Sequence, residues 1–441
     1  MDEPQPGAEL KRTIGVFALA CTVVNITIGT GIFVLPALVA EHLGAAAIIC
    51  FFICGFVIFL IGLCFAEVGT KITGTGGTYV YIETAFGPFA GFMANNIFWF
   101  GSAIFSDAAV ANGLTQTLGY FFPWIGSFGI RALFLLVLFG GLAFINIRGT
   151  KNGVKVIILT TLAKLIPLLL IIVFGVGHIV ATNLQWKIAF SFNDIGSTTL
   201  ILFFAFVGIE SALSSSGEIK NPPKVVPLGI LSGLLVILLL YVSIQLVSQG
   251  ILGNELVLYK DAPLAEVSKR LFGFIGISLV TIGIAFSMLG NLSSEILAIP
   301  RVLFAGARDG IFPAFLGKVH PKYFTPYKAI ALYAGIGYLI ALFGSLKQLA
   351  ILSSASTLLI YLGVVLATIR LRYTKVATAK TFRVPGGLVI PILASVLIIW
   401  ILSNLSKEEI IGIGISMLVL SLIYVVMEWV KRNQKGNKVK N

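Results

Sequence analysis

The chain has 441 residues, of which 58% are hydrophobic and only 11% charged, and its mean hydropathy is +1.01. Soluble proteins carry about 25% charged residues, so this composition excludes a soluble globular protein and predicts a polytopic membrane protein. The net charge of +13 would suggest a nucleic-acid partner in a soluble domain. Here the basic residues lie in short loops between apolar runs, where positive charge sets membrane topology, and we expect no nucleic-acid partner.

Twelve apolar stretches follow one another, each near the length of about 20 residues that a helix needs to cross a bilayer. With the N-terminus in the cytoplasm, most of the 31 Lys and Arg residues fall on the cytoplasmic side, as the positive-inside rule requires. The sequence therefore predicts a multi-pass protein of the cell (inner or plasma) membrane with both termini cytoplasmic. The stretches lie near 14–40, 44–69, 86–112, 131–147, 154–178, 196–217, 228–250, 273–299, 328–345, 348–369, 387–405 and 409–430.

Two spans carry glycine-containing segments that favour a break in the helix within the membrane. The first span reads NITIGTGIF over 25–33, with Pro36 one turn later, and the sixth reads FFAFVGIES over 203–211. Glycine weakens a helix, and backbone that is not helical survives in hydrocarbon only around a cavity or a ligand. The alternative is that these small residues merely let helices pack closely.

Matching breaks in two halves of a chain indicate a transporter built from inverted repeats. The predicted fold is all-α, with 12 transmembrane helices, a five-plus-five inverted repeat with discontinuous helices 1 and 6, and two extra C-terminal helices. The expected regions are a cytoplasmic segment 1–12, a first repeat 13–179, a second repeat 190–372, helices 11 and 12 over 385–430, and a basic cytoplasmic tail 431–441.

The broken helices also predict the kind of ligand. Exposed N–H groups at the start of a half-helix attract an anion such as a carboxylate, and carbonyls at the end of the other half attract an ammonium group. A zwitterionic amino acid offers both charges. The expected substrate-binding residues of the breaks are Thr27, Ile28, Gly29, Thr30, Gly31, Phe204, Ala205, Phe206, Val207 and Gly208.

Ser102 and Ser106 lie four residues apart on the third span and hence on one helical face, from which their hydroxyls can reach the same cavity. The alternative for both is a hydrogen bond to their own helix backbone. Phe204 and Phe206 are candidates to close over a substrate, although Phe is abundant in this chain and Phe204, near Gly208, is the stronger candidate.

The chain resembles the amino acid–polyamine–organocation transporters, most closely the proton-coupled amino acid permeases of broad specificity. The resemblance implies the five-plus-five fold and alternating access around a site at the midplane. It extends over nearly the whole chain and rests on Gly29 to Phe33, Ala66-Glu67 ahead of Gly76 to Tyr81, Phe204 to Glu210, Asn221-Pro222, and RVLFAGARDGIFP over 301–313.

Lys164 lies inside a span that is otherwise free of charge. A charged amine buried in the membrane is costly, so its protonation can depend on conformation. In the family resemblance, Lys164 falls where proton-coupled members carry a lysine in helix 5, in the space that sodium fills in sodium-coupled relatives. This implies proton coupling; the alternative is a lysine tied to a carboxylate or to carbonyls at a helix end for structure alone.

Three acids lie within predicted spans. The resemblance suggests a gating or proton-linked role for Glu210, with a helix-stabilising hydrogen bond as the alternative. Asp107, in the outer half of the third span beside Ser106, is expected near the outer surface, with a place near the cavity as the alternative. Glu295 lies in helix 8, where the family often has an apolar or aromatic residue; we expect it to pair with Lys164 or, alternatively, to attract a cationic substrate side chain.

Other classes of function find little support. Neither Cys21, Cys50, Cys54 and Cys64 nor the three histidines form a metal-ligand pattern, so we expect no metal, no cofactor and no enzyme activity. There is no nucleotide-binding domain, and no ATPase subunit is implied. The function predicted is secondary active transport of amino acids, with protons and membrane lipid as further partners. An amino acid/polyamine exchanger is the alternative, and an ion channel, for which no filter-like sequence is present, is remote.

Overall fold

The structure is a computed structural model, and it describes residues 14–72, 78–148, 153–186, 189–213, 219–308, 312–374 and 381–440. Apart from an isolated bridge between Ile14 and Ile219, the regular elements in these ranges are helices. The α-helices are α1 Val16–Thr27, α2 Gly31–Leu43, α3 Ile48–Lys71, α4 Thr78–Phe86, α5 Pro88–Asn96, α6 Phe105–Phe121, α7 Phe128–Arg148, α8 Gly153–Gly175, α9 Phe192–Phe203, α10 Ile209–Ala212, α11 Pro222–Leu252, α12 Pro263–Arg308, α13 Tyr327–Phe343, α14 Leu346–Thr374, α15 Val389–Leu402 and α16 Lys407–Lys440.

The helices account for the predicted membrane spans. Eight helical stretches of the described residues are long and apolar enough to cross a membrane, and four shorter apolar helices accompany them. Together they occupy the positions of the twelve predicted spans. The all-helical multi-pass fold is thus confirmed, while twelve as the number of crossings stays a prediction.

Several boundaries differ from those predicted. A short helix, α4, precedes the third span, and α12 is longer than 273–299, with a change of direction at Gly273 (φ +62°, ψ −146°). Helix α16 continues to Lys440, so most of the segment predicted as a tail is helical. The segment 1–12, as well as Gly76-Gly77 and residues 309–311 of the family motifs, lies outside the described residues.

Helix packing follows a symmetric pattern. Helix α3 packs on α11, and α7 packs on α13. Helix α12 packs on α8 just as α14 packs on α6, and α1 packs on α11 just as α9 packs on α3. Exchanging the first five predicted spans for the second five leaves this pattern unchanged, which is what an inverted repeat requires.

A buried ion-pair cluster joins α3 to α14 at one end of the bundle. The fully buried carboxylate of Glu67 accepts hydrogen bonds from Lys71 Nζ (2.8 Å) and from the guanidinium of Arg372 (2.8 Å from Nε). It also accepts the backbone N–H of Val384 at 2.9 Å. Because a buried carboxylate is stable only when its charge is compensated, these contacts fix α3, α14 and the segment before α15 to one another.

Candidate functional site

The first predicted break is present and lies where the glycines are. Helix α1 ends at Thr27 and α2 begins at Gly31. Ile28 leaves the helical region (ψ 82°), and the N–H of Gly29 turns back to the carbonyl oxygen of Thr27 at 2.8 Å. The first turn of α2 therefore presents N–H groups that the helix cannot satisfy, and the last turn of α1 presents carbonyls that accept no hydrogen bond from within the helix.

The second break depends on Gly208. Helix α9 ends at Phe203, a 3₁₀ turn covers Phe204–Phe206, and α10 begins at Ile209. Gly208 has φ +134°, a conformation that residues with a side chain rarely adopt. A Cβ there would lie 2.9 Å from Ile26 Cγ2 and 3.2 Å from Thr27 Oγ1. The two breaks are thus in direct contact.

The carbonyl end of α1 is bound by two side chains from other helices. Lys164 Nζ, on α8, donates to the carbonyl oxygens of Asn25 (2.8 Å) and Ile28 (2.9 Å), and Tyr241 Oη, on α11, donates to that of Thr27 (3.1 Å). Lys164 is only 2% exposed. The predicted ion pair between Lys164 and Glu295 is not formed in this arrangement, because the amine points to the carbonyls of α1.

Glu210 folds back on the second break. Its carboxylate accepts the N–H of Gly208 at 3.1 Å and a hydrogen bond from the hydroxyl of Tyr361, on α14. These bonds stabilise the non-helical turn, whereas the structural alternative predicted for this residue is a bond that stabilises a helix. Its gating or proton-linked role stays a prediction.

A cavity lies between the two breaks, α12 and the third span. Of the predicted residues, it is lined by Thr27, Gly29, Thr30, Gly31, Ser102, Ser106, Phe204, Val207, Gly208, Glu210 and Glu295. Twelve of the 17 lining residues are small or polar and five are larger and apolar, so the cavity combines apolar walls with the polar groups that fix a small ligand.

Three predicted substrate contacts do not line the cavity. Ile28 is buried and contributes its carbonyl to Lys164. Ala205 packs closely on α2, because a Cβ added to Gly31 would lie only 2.7 Å from the Cβ of Ala205. Phe206 packs edge-on against Tyr241, with 5.2 Å between ring centroids. The 3₁₀ turn rotates these two side chains away from Phe204, which faces the cavity.

The lining also contains residues that the sequence analysis missed. Asn291 and Glu295 are one helical turn apart, so the spacing of i and i+4 could have revealed Asn291. The remaining lining residues carry no such signal in the sequence, because the rotation of each helix determines which of its side chains face the cavity. The additional lining residues are Ile26, Phe98, Ala103, Val110, Ser211 and Asn291.

Ser102 lies in a π-helical stretch, Ile97–Ile104, a local widening of the helix that is frequent at functional sites. Its hydroxyl lies 2.6 Å from that of Thr357 on α14, and Ser353 donates to its carbonyl oxygen at 3.0 Å. Because the Thr357 hydroxyl donates to Ser353 O, Ser102 is the donor to Thr357. The alternative of a bond to its own helix does not hold for Ser102.

The prediction that Asp107 lies near the outer surface is wrong. The residue is fully buried, and one carboxylate oxygen accepts a hydrogen bond from Tyr333 Oη at 2.9 Å. The other oxygen has no hydrogen-bond partner among the described residues. Packing of α6 against α13 buries this face of the helix, which hydropathy alone could not indicate.

Two broken apolar helices that meet beside a polar cavity are the architecture of a membrane transport protein. The chain belongs to the amino acid permease family, whose model matches residues 14–438. This confirms the resemblance to amino acid–polyamine–organocation transporters and identifies a multi-pass membrane protein.

Individual relatives align along almost their whole length. The serine/threonine exchanger SteT of Bacillus subtilis (strain 168) is 31% identical over 421 residues, which is 93% of this chain and 94% of the relative. From the same organism, the branched-chain amino acid permease BcaP is 28% identical (94% and 92% covered), and a methylthioribose transporter is 29% identical (94% and 93% covered). These relatives are transporters of small molecules.

Proposed function

We propose that the protein is a secondary active transporter that moves amino acids across the cell membrane by alternating access, coupled to protons through Lys164. The observation that carries the proposal is the pair of hydrogen bonds from Lys164 Nζ to the carbonyls of Asn25 and Ile28 at the first break. The serine/threonine exchanger SteT and the branched-chain amino acid permease BcaP, both similar to this chain, support amino acids as the substrate class.

Coupling follows from the charge of this amine. A protonated amine binds the negative end of the α1 dipole more strongly than a neutral amine does. A movement of α1 away from α8 therefore favours loss of the proton, and binding of a proton favours the arrangement in which α1 and α8 are joined. By linkage, a proton gradient can then drive the conformational cycle.

The test is uptake of radiolabelled amino acids into proteoliposomes that contain no internal substrate, with an imposed pH gradient and the voltage clamped. A panel of amino acids identifies the substrate. We expect accumulation above equilibrium when the outside is acidic. Lys164→Gln keeps hydrogen-bond donors for the two carbonyls but cannot carry a proton, and we expect it to abolish accumulation while retaining counterflow.

Lys318→Gln is the matched control, because Lys318 is exposed and the same chemical change there removes only a surface charge. Accumulation by Lys164→Gln in step with the pH gradient would refute proton coupling through this residue. Uptake that requires internal amino acid in the unmodified protein would favour exchange, the second candidate, which the name of SteT supports. Conductance without saturation or counterflow would indicate a channel.

A further inference from the structure

Glu295 presents an unpaired carboxylate to the cavity. It lies on α12 one turn after Asn291, and both residues line the cavity. Asn291 lies beside the first break, since a Cβ on Gly29 would be 3.7 Å from Asn291 Nδ2. Among the described residues, the Glu295 carboxylate has no hydrogen bond and no ion pair. This face of α12 therefore directs an uncompensated acid to the place where the breaks meet.

Two other acids lie in this part of the bundle. Glu210 lines the same cavity, and Asp107 is buried against Tyr333. Glu210 has partners of its own in Gly208 and Tyr361, whereas one oxygen of the buried Asp107 has none. Lys164 is engaged with the carbonyls of α1 and does not neutralise the group.

A second observation indicates that a ligand completes this site. The hydroxyls of Thr27 and Thr30 are buried, line the same cavity and have no hydrogen-bond partner among the described residues. A buried polar group is costly unless it is hydrogen-bonded, and a buried carboxylate is costly unless it is paired. A ligand with several polar groups and a positive charge would satisfy the two hydroxyls and the half-buried carboxylate of Glu295.

We infer that Glu295 forms an acidic subsite that selects amino acids whose side chain carries a positive charge. The inference rests on the proposed function and specifies its substrate class. The α-carboxylate and α-ammonium groups are bound at the breaks, and the cationic end of the side chain pairs with Glu295.

Arginine and citrulline test the inference, because they have nearly the same shape and citrulline is neutral. Each competes with the radiolabelled amino acid that gives the strongest uptake in the panel described above. We expect the inhibition constant of arginine to be lower than that of citrulline by about 10-fold or more. A hydrogen bond to a charged group is stronger than one between neutral groups by an amount that corresponds to about this factor in affinity. Glu295→Gln should bring the ratio near one, Glu295→Asp should retain the preference, and the control Glu408→Gln, at an exposed residue, should not change it.

Equal competition by arginine and citrulline in the unmodified protein would overturn the inference, and so would an unchanged ratio in Glu295→Gln. The first outcome does not depend on the folding of any variant. If neutral amino acids are taken up and arginine has no advantage, only the acidic subsite is wrong. If no amino acid is taken up, the proposed function itself fails.

Discussion

Adding a single methyl group at the glycines of the two breaks tests whether the breaks must touch for a substrate to bind. At Gly31, the new Cβ would lie 2.7 Å from Ala205 Cβ and 2.8 Å from Ala205 Cα. At Gly208, it would lie 2.9 Å from Ile26 Cγ2, and the residue would also have to adopt φ +134°. At Gly29, the nearest atom would be 3.7 Å away, an ordinary contact.

These distances give a graded expectation. The contact at Gly31 is about 1 Å shorter than the optimum of roughly 3.5–4.0 Å between carbon atoms. Because the neighbour is backbone, the helices must separate, and overpacking of this kind costs about 1–3 kcal/mol. If a cost of about 2 kcal/mol falls on the substrate-bound state and not on the substrate-free state, the affinity for the substrate falls about 30-fold. Gly208→Ala adds the strain of a left-handed conformation, about 1–3 kcal/mol more.

The assay is the dissociation constant of the purified protein for its transported amino acid, with the thermal midpoint Tm measured alongside. We expect Gly29→Ala to change affinity by less than about threefold, Gly31→Ala by about 30-fold, and Gly208→Ala by at least as much. Gly140→Ala is the matched control, since nothing lies within 4 Å of a Cβ at this exposed helical position.

The relative affinities of the variants show whether a methyl group acts through the contact between the breaks. Gly31→Ala and Gly208→Ala with unmodified affinity and stability would show that the breaks do not need this close approach. A loss of affinity at Gly140 as large as that at Gly31 would show that the effect of a methyl group is not local. Either result would refute the reasoning from distance.

Two further substitutions test the packing around the site. Ser102→Ala removes the hydrogen bond to α14 and should lower the unfolding free energy by about 1 kcal/mol. Its Tm should therefore lie below that of the control Ser416→Ala, because the Ser416 hydroxyl is exposed and bonds only its own helix. Equal Tm values for the two variants would contradict this expectation. Glu67→Gln breaks the buried ion pair with Arg372 and should cost about 3 kcal/mol or more, whereas the exposed Glu408→Gln should leave Tm within the range of surface changes. A Glu67→Gln protein as stable as Glu408→Gln would show that the ion pair contributes nothing.

The class of the protein, the positions of the helices and the places where two of them break could all be predicted from the amino-acid sequence. These features are local: about 20 apolar residues are needed to cross a bilayer, and a glycine weakens the helix in which it lies. It also singled out Lys164, because one charge in a long apolar span is conspicuous without any knowledge of its neighbours. The motifs around Gly29 and Gly208 likewise indicated the family that the comparison of the whole chain confirmed.

Which side chains contact one another depends on the tertiary structure and could not be predicted from the sequence. The partners of Lys164 lie 136 and 139 residues away in the chain, and Tyr361 reaches Glu210 across 151 residues. Hydropathy is nearly uniform around α8 and α14, so it does not report their rotation. The burial of Asp107 followed from packing between helices, and the orientation of Phe206 followed from the 3₁₀ turn at the second break. The cavity is therefore a property of the assembled bundle, because each of its walls comes from a different part of the chain.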